Sequence, residues 1–293
     1  MGAPAASKVR NAFTVDVEDY FHVETFSGVI RQTEWGNYPL RVERNTDRLL
    51  EILGEFRVKG TFFVLGWVAE KSPRMVERIG SEGHEVACHG YSHQPIYRMT
   101  PEEFRSDLRK SKGILENITG HSVKGYRAPT FSITQEREWA LWILAEEGFL
   151  YDSSVFPVRH DRYGWTAFPR GIVEWGGKIT EFPISTLRLL GANLPFSGGG
   201  YLRLLPYRVI RTAFRRVNAR ENKPVVLYVH PWEIDPEQPR VPVRGFSSFR
   251  HYVNLDTTEC KLRCLLEDFS FGRMDEILAA AGSGAVPVPV PNG

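Results

Sequence analysis

The sequence predicts an α/β fold organised on a parallel sheet or barrel, and two observations carry the prediction. Between Ala12 and Asp152, short apolar runs rich in β-branched residues alternate with amphipathic helical segments, the pattern of repeated βα units. The residues with chemical potential, Asp16 to Asp19, His89, Arg127 and Asp152, fall at the ends of those runs. That is the face on which such folds carry their sites. The 293 residues suit one large domain or two smaller ones, and 42% hydrophobic with 25% charged residues is enough for a core. A net charge of +2 gives no footprint for nucleic acid. No apolar run is long enough for a membrane span, and Met1 to Arg10 holds no apolar leader segment. Cys88, Cys260 and Cys264 do not make a disulfide framework, so a reducing cytoplasm is the expected compartment.

Taken in order, Ala12 to Val17 reads as a fully buried strand that runs straight into Glu18-Asp19-Tyr20-Phe21-His22. Three carboxylates within four positions at the end of such a strand need partners or a metal. A helix is predicted from Arg41 to Phe56, with Leu49, Leu50, Ile52 and Leu53 on its core side, and a second strand from Thr61 to Leu65. Ser72 and Pro73 cap the next helix, which Gly83 closes, and His84 to Cys88 is the third strand. Thr100-Pro101-Glu102-Glu103 is a capping box opening a helix to about Thr119. Gly125 to Pro129 is a short strand and its exit, followed by a helix around Thr134 to Glu147 that Gly148 stops. The stretch 161–206 is less regular, with one strand expected at Thr180 to Ile184 and a glycine triplet, Gly198-Gly199-Gly200, that allows close backbone approach or a mobile loop. Tyr207 to Arg220 is amphipathic, apolar through Ile210, Phe214 and Val217 and basic through its arginines. Pro224 to His230 is the clearest late strand, a last helical region runs from about Thr258 to Ala281, and the Pro-rich tail from Val286 to Gly293 is expected to be disordered.

The chemistry centres on His89-Gly90-Tyr91-Ser92-His93. Two imidazoles four positions apart at a strand end can aim both rings at one point, as zinc ligands do. A pair of histidines that never meets a metal is the bland alternative, and the acidic end of the first strand together with His230 argues against it.

The order of these motifs resembles the polysaccharide deacetylases, the NodB-homology enzymes of carbohydrate esterase family four. The acidic strand end Thr14 to Asp19, then His89 to His93, Tyr126-Arg127-Ala128-Pro129 and Tyr228-Val229-His230 carry the resemblance. From His230 to the end, the chain is similar to the exosortase-associated subgroup linked to exopolysaccharide gene clusters. The resemblance implies a distorted (β/α) barrel with fewer than eight regular strands over residues 1–235, with 236–285 as a C-terminal extension packed on it. It implies Asp16 as general base, His89 and His93 as metal ligands, Arg127 as the group orienting the base, and His230 as the proton donor to the leaving amine. The family pattern has adjacent aspartates, whereas Val17 and Glu18 separate Asp16 from Asp19. Glu18 shares a strand face with Asp16, and Asp19 reaches back only if the chain turns after Val17. Asp19 is assigned as the third ligand, with Glu18 the alternative. Asp152 is expected either to orient His230 or to cap a turn.

Two histidines and one carboxylate leave an open position on a divalent ion, most simply Zn2+, at which water becomes acidic and an amide carbonyl is polarised. A backbone N–H, assigned to Thr130, would help hold the oxyanion. The expected function is removal of N-acetyl groups from amino sugars of a polysaccharide or its precursor. The alternatives are hydrolysis of a small cyclic amide or imide on the same fold, and a non-catalytic glycan-binding subunit. The arginine face of Tyr207 to Arg220 is expected to be either simply solvated or in peripheral contact with anionic lipid or glycan.

Overall fold

The computed structural model describes residues 9–160, 163–242, 246–282 and 286–288. Its strands are β1 (Asn11–Val17), β2 (Thr61–Val64), β3 (Glu85–Cys88), β4 (Gly125–Tyr126), β5 (Tyr151–Asp152), β6 (Val173–Trp175), β7 (Ile179–Glu181), β8 (Thr186–Leu189), β9 (Ala192–Pro195), β10 (Val226–Val229), β11 (Phe271–Gly272) and β12 (Val286–Val288). They form one sheet in the order β10-β1-β2-β3-β4-β5-β7-β6-β12, with β11 also paired to β1, and a separate hairpin β8-β9. From β10 to β7 every pairing is parallel. The sheet therefore curls into an incomplete barrel, as the resemblance implies.

Period-two alternation decides what each side of β1 meets. Phe13, Val15 and Val17 join the larger core between the sheet and the surrounding helices. Ala12 packs with Phe63, Ala87, Tyr151, Val226 and Tyr228 in a second cluster that fills the barrel interior. Thr14 and Asp16 continue this inner row toward the C-terminal end of the strand, so the alternation that fills the barrel also delivers a carboxylate to its mouth. All seven residues of β1 are buried, which is why it reads as a continuous rather than an alternating apolar run.

The helices are α1 (Val42–Glu55), α2 (Gly66–Lys71), α3 (Pro73–Ser81), α4 (Pro101–Thr119), α5 (Trp139–Glu146), α6 (Gly199–Leu204), α7 (Tyr207–Glu221), α8 (Phe246–Tyr252), α9 (Leu255–Asp268) and α10 (Met274–Ala281). The Thr100 capping box forms as predicted, and Gly120 closes α4 in the left-handed conformation with φ 69°. Other expectations need correction. The helix expected around Thr134 to Glu147 is a 3-10 turn, Gln135–Arg137, followed by α5. The last helical region is two helices, α9 and α10. The buried Phe269 and Phe271 flank the break between them, where β11 adds to β1. The strand β7 ends three residues earlier than expected, and β6, the β8-β9 hairpin and the short α2 and α8 were not foreseen.

The C-terminal segment shares the barrel's core, since β11 lies in the main sheet and α9 packs against α6 and α7. The expectation of a disordered tail fails at Val286–Val288, which pair in parallel register with β6; residues 289–293 lie outside the described residues, as do residues 1–8, where a leader was sought. Among the described residues no helix is long and apolar enough to cross a membrane. Helix α7 buries Ile210, Phe214 and Val217. Arg208, Arg215 and Arg220 stay exposed, and Arg211 pairs with Asp268 at 2.7 Å. An exposed cationic face is what both expectations for this helix require.

One buried histidine makes the fold acid-sensitive. His84, entering β3, accepts the Gly60 N–H on Nδ1 at 3.0 Å, and its Nε2 is buried without a partner. Burial, then the charge of Lys59, pushes its pKa down to about 4 from an ordinary 6.5. The folded chain thus binds this proton less tightly than the unfolded chain. The stability from a neutral His84 is complete above the unfolded value and is lost as pH falls from there toward the folded one. His84→Asn keeps an acceptor for Gly60 but cannot titrate. Its urea midpoint should fall less than that of the wild type between about pH 7 and pH 4; equal falls would place the acid sensitivity elsewhere.

Candidate active site and metal centre

Asp16 and Arg127 meet at the mouth of the barrel. Arg127 Nη1 donates to Asp16 Oδ1 at 2.6 Å and to Thr14 Oγ1 at 2.8 Å. Its Nε donates to Ser153 O and its Nη2 to Ser153 Oγ, both at 3.0 Å. The guanidinium also lies 4.1 Å from the Phe63 ring centroid. Arg127 is 0% exposed and Asp16 2%, so the pair is tolerable only because the donors are so fully used. Asp16 keeps Oδ2 for other work, 3.9 Å from His230 Nε2.

The histidine motif follows β3 and is bent by its backbone. Gly90 has φ 73°, and a Cβ there would stand 2.9 Å from Asp107 Oδ2. Asp107, on α4, accepts from Tyr91 N, Ser92 N and Ser92 Oγ at 2.7, 3.1 and 2.6 Å. With His93 at φ 50°, the two imidazoles turn together, their centroids 5.4 Å apart. His89 Nδ1 lies 2.8 Å from the Arg127 carbonyl. Donation there puts the proton on Nδ1 and leaves the Nε2 lone pair for a ligand. Nothing in the sequence distinguishes Asp107 from the other charges of α4.

The third member of the cluster is Glu18, which corrects the assignment of Asp19. One oxygen of Glu18 and one nitrogen each of His89 and His93 lie within 4.8 Å of one another, and all three residues are buried. Glu18 Oε1 accepts from Trp232 Nε1 at 3.2 Å, while Oε2 contacts His93 Nε2 and has no hydrogen-bond donor. A buried carboxylate oxygen facing two imidazole nitrogens without a donor fits a divalent cation. Asp19 is instead committed to backbone. Its Oδ2 accepts Arg41 N and Val42 N at 2.7 and 2.9 Å, at the start of α1, and its Oδ1 accepts Tyr20 N at 2.9 Å. The physical reason is the strand period: two residues beyond Asp16 the chain still points inward, and at three it points to the helix layer. Burial raises the Asp19 pKa to about 6 against these donors.

His230, after β10, is held by a residue that the sequence analysis missed. His230 Nδ1 lies 3.0 Å from Glu233 Oε2, which also accepts the His230 backbone N–H at 3.0 Å. Arg203 Nε binds the other Glu233 oxygen at 2.8 Å, with both side chains buried. The His230 ring stacks on Trp232 at 5.1 Å and turns Nε2 toward Glu18 Oε1 at 3.6 Å. Glu233 sits three positions after an N-terminal capping residue, and that capping-box spacing was the available signal. Asp152, expected to orient His230 or cap a turn, does not reach the histidine; it bonds Ser154 below the site.

Charge follows this wiring. Burial opposes ionisation of Glu18, but the neighbouring His93, His230 and His89 hold its carboxyl well below the usual range. Burial pushes His89 down to about 4. His230 goes the other way, up to about 9, because Glu233 and then Glu18 and Asp16 outweigh burial. Burial opposes Glu233 too, but Arg203 and His230 hold it at about 2.

Asp16, Glu18, His89, His93, Thr130 and His230 line one cavity of about 260 Å³. Arg127 backs it, and Asp19 and Asp152 stay outside its lining. A polar groove of about 920 Å³ adjoins it, sharing Glu24, Thr25, His160 and Tyr163 with its wall.

Residues 35–144 match the family model described as Polysaccharide deacetylase, and residues 153–279 match one described as Domain of unknown function. A peptidoglycan-N-acetylglucosamine deacetylase of Bacillus cereus is 38% identical over 96 residues, 32% of this chain and 35% of that protein. A peptidoglycan deacetylase of Helicobacter pylori is 33% identical over 111 residues, 37% of this chain and 36% of that protein. The match thus spans about a third of the length of these curated relatives. A crystal structure assigned as a polysaccharide deacetylase from Mycobacterium smegmatis superposes with a TM-score of 0.63 at 21% identity, covering 100% of this chain and 97% of that one. That likeness is one of fold.

The carboxylates can be told apart by metal content. Glu18→Ala should lose a bound divalent ion, whereas Asp19→Ala should keep it and lose roughly 1–3 kcal/mol of stability through unpaired backbone N–H groups. Elemental analysis and urea unfolding measure the two effects; metal loss in Asp19→Ala alone would restore Asp19 as the ligand.

Proposed function

We propose that this chain, which belongs to the polysaccharide deacetylases, is a divalent-metal-dependent N-deacetylase acting on N-acetylated amino sugars of a glycan. The observation that carries the reading is the joint presence, in one cavity, of an Asp16 held by Arg127, a Glu18-His89-His93 cluster and a His230 held by Glu233. A pure binding site needs neither the held aspartate nor the held histidine.

Glu18, His89 and His93 would hold the cation, which supplies Lewis-acid polarisation of an amide carbonyl and acidifies water; two imidazoles with one carboxylate suit Zn2+. The remaining work belongs to the chain. Asp16 accepts a proton from the attacking water on Oδ2, while Oδ1 stays on Arg127. The Thr130 N–H donates to the carbonyl oxygen as it gains charge. His230 donates from Nε2 to the departing amine, and Glu233 keeps the ring's other nitrogen occupied. Acetate and a free amino sugar result.

The adjoining groove supports a glycan over a small cyclic amide. A small amide would be enclosed by the inner cavity alone, whereas an extended chain needs the larger polar groove beside it. An exopolysaccharide or its precursor is our reading of the polymer, on the resemblance of the segment after His230.

Incubation with an N-acetylated chitooligosaccharide and Zn2+ should release acetate, and a chelator should stop it. His230→Ala should keep its metal and fold and lose roughly 100-fold or more in turnover on the amide, but much less on an activated aryl ester whose leaving group needs no proton. Equal losses on both substrates would remove His230 as proton donor. No acetate from the wild type on any N-acetylated glycan would remove the deacetylase reading.

A further inference from the structure

The turn that follows Arg127 is strained. Thr130 and Phe131 have consecutive left-handed backbones, with φ of 59° and 53°. For a β-branched and an aromatic residue this conformation is strained and persists only where the surroundings over-determine it. Thr130 lines the cavity that holds Asp16, Glu18 and the histidines, so the strain lies at the site. Two serines hold the turn. Ser132 Oγ donates to Pro129 O at 2.6 Å and accepts from Ile96 N at 2.9 Å. Ser154 Oγ accepts from Ala128 N at 2.7 Å.

The Ser154 hydroxyl proton goes to Asp152 Oδ1 at 2.6 Å, which fixes the rotamer that presents its oxygen to the Ala128 N–H. Asp152 is registered opposite Glu181 across β5 and β7. Both are 0% exposed, and Glu181 Oε1 takes the Val155 N–H at 2.9 Å.

We propose that Ser154, held in place by Asp152, clamps the strained Ala128–Ser132 turn. Asp152 and Ser154 are then positioning residues for the Thr130 N–H. The effect on rate rests on the deacetylase reading; the effect on the turn does not.

Crystal structures and steady-state kinetics of Ser154→Ala and Asp152→Asn test the clamp. Ser154→Ala removes the acceptor, so Thr130 and Phe131 should leave the left-handed region and kcat should fall about tenfold or more, with KM and metal content nearly unchanged. Asp152→Asn keeps an acceptor for the Ser154 hydroxyl and loses only the longer bond from Ser154 N at 3.2 Å, so the turn should hold its φ values and most of the rate should survive. If Ser154→Ala does not fold, Ser154→Cys, a weaker acceptor of similar shape, carries the same test. An unchanged turn in the Ser154 variant overturns the proposal, as does a relaxed turn in Asp152→Asn. If the wild type releases no acetate, the deacetylase reading falls, and the backbone of Thr130 in the Ser154 variant still decides the clamp.

Discussion

The buried ion pair of Arg127 and Asp16 is the constraint on which the site is built. Both groups are buried, and removing one partner of such a pair typically costs about 3–5 kcal/mol. Arg127 therefore spends its donors on Asp16, Thr14 and Ser153, tying β1 to the segment after β5. Its carbonyl meanwhile receives His89, so one residue orders Asp16 on one side and the His89 imidazole on the other. The barrel strands between them are short, and these contacts supply the order that longer ladders would provide elsewhere.

A second layer of polar wiring comes from the C-terminal half. Arg203 binds Glu233 and also donates to the Arg250 carbonyl at 2.8 Å, and Lys261 Nζ binds the Leu202, Arg203 and Leu205 carbonyls at 2.9, 2.8 and 3.1 Å. The position of His230 thus depends on α6, α8 and α9 together. This explains why the segment after residue 235 packs as part of the barrel rather than as an appendage.

Much of this was legible in the sequence. β1, β2, β3 and β10 are continuous apolar runs, because a parallel strand covered on both faces has no polar side to interrupt it. Asp16, His89, His93, Arg127 and His230 were recognised because they sit where such runs stop. The less regular elements were not legible. β5 and β11 are two residues each, too short for any periodicity, and α9 and α10 form one apolar pattern that is broken only because β11 finds β1 as a partner.

By itself, the sequence determined the alternation of strand and helix, the inward row of β1 and the residue types gathered at the strand ends. These are local properties, set by side-chain period, caps and β-branching. Only the tertiary structure decided which carboxylate faces the histidines. Glu18 and Asp19 are adjacent and chemically alike, and the choice between them turns on the start of α1, whose N–H groups claim Asp19 from 22 and 23 residues away. The tertiary structure likewise decided that Glu233 rather than Asp152 holds His230. A hydrogen bond needs two groups at one place, and the chain sets that place only once the barrel has closed around both.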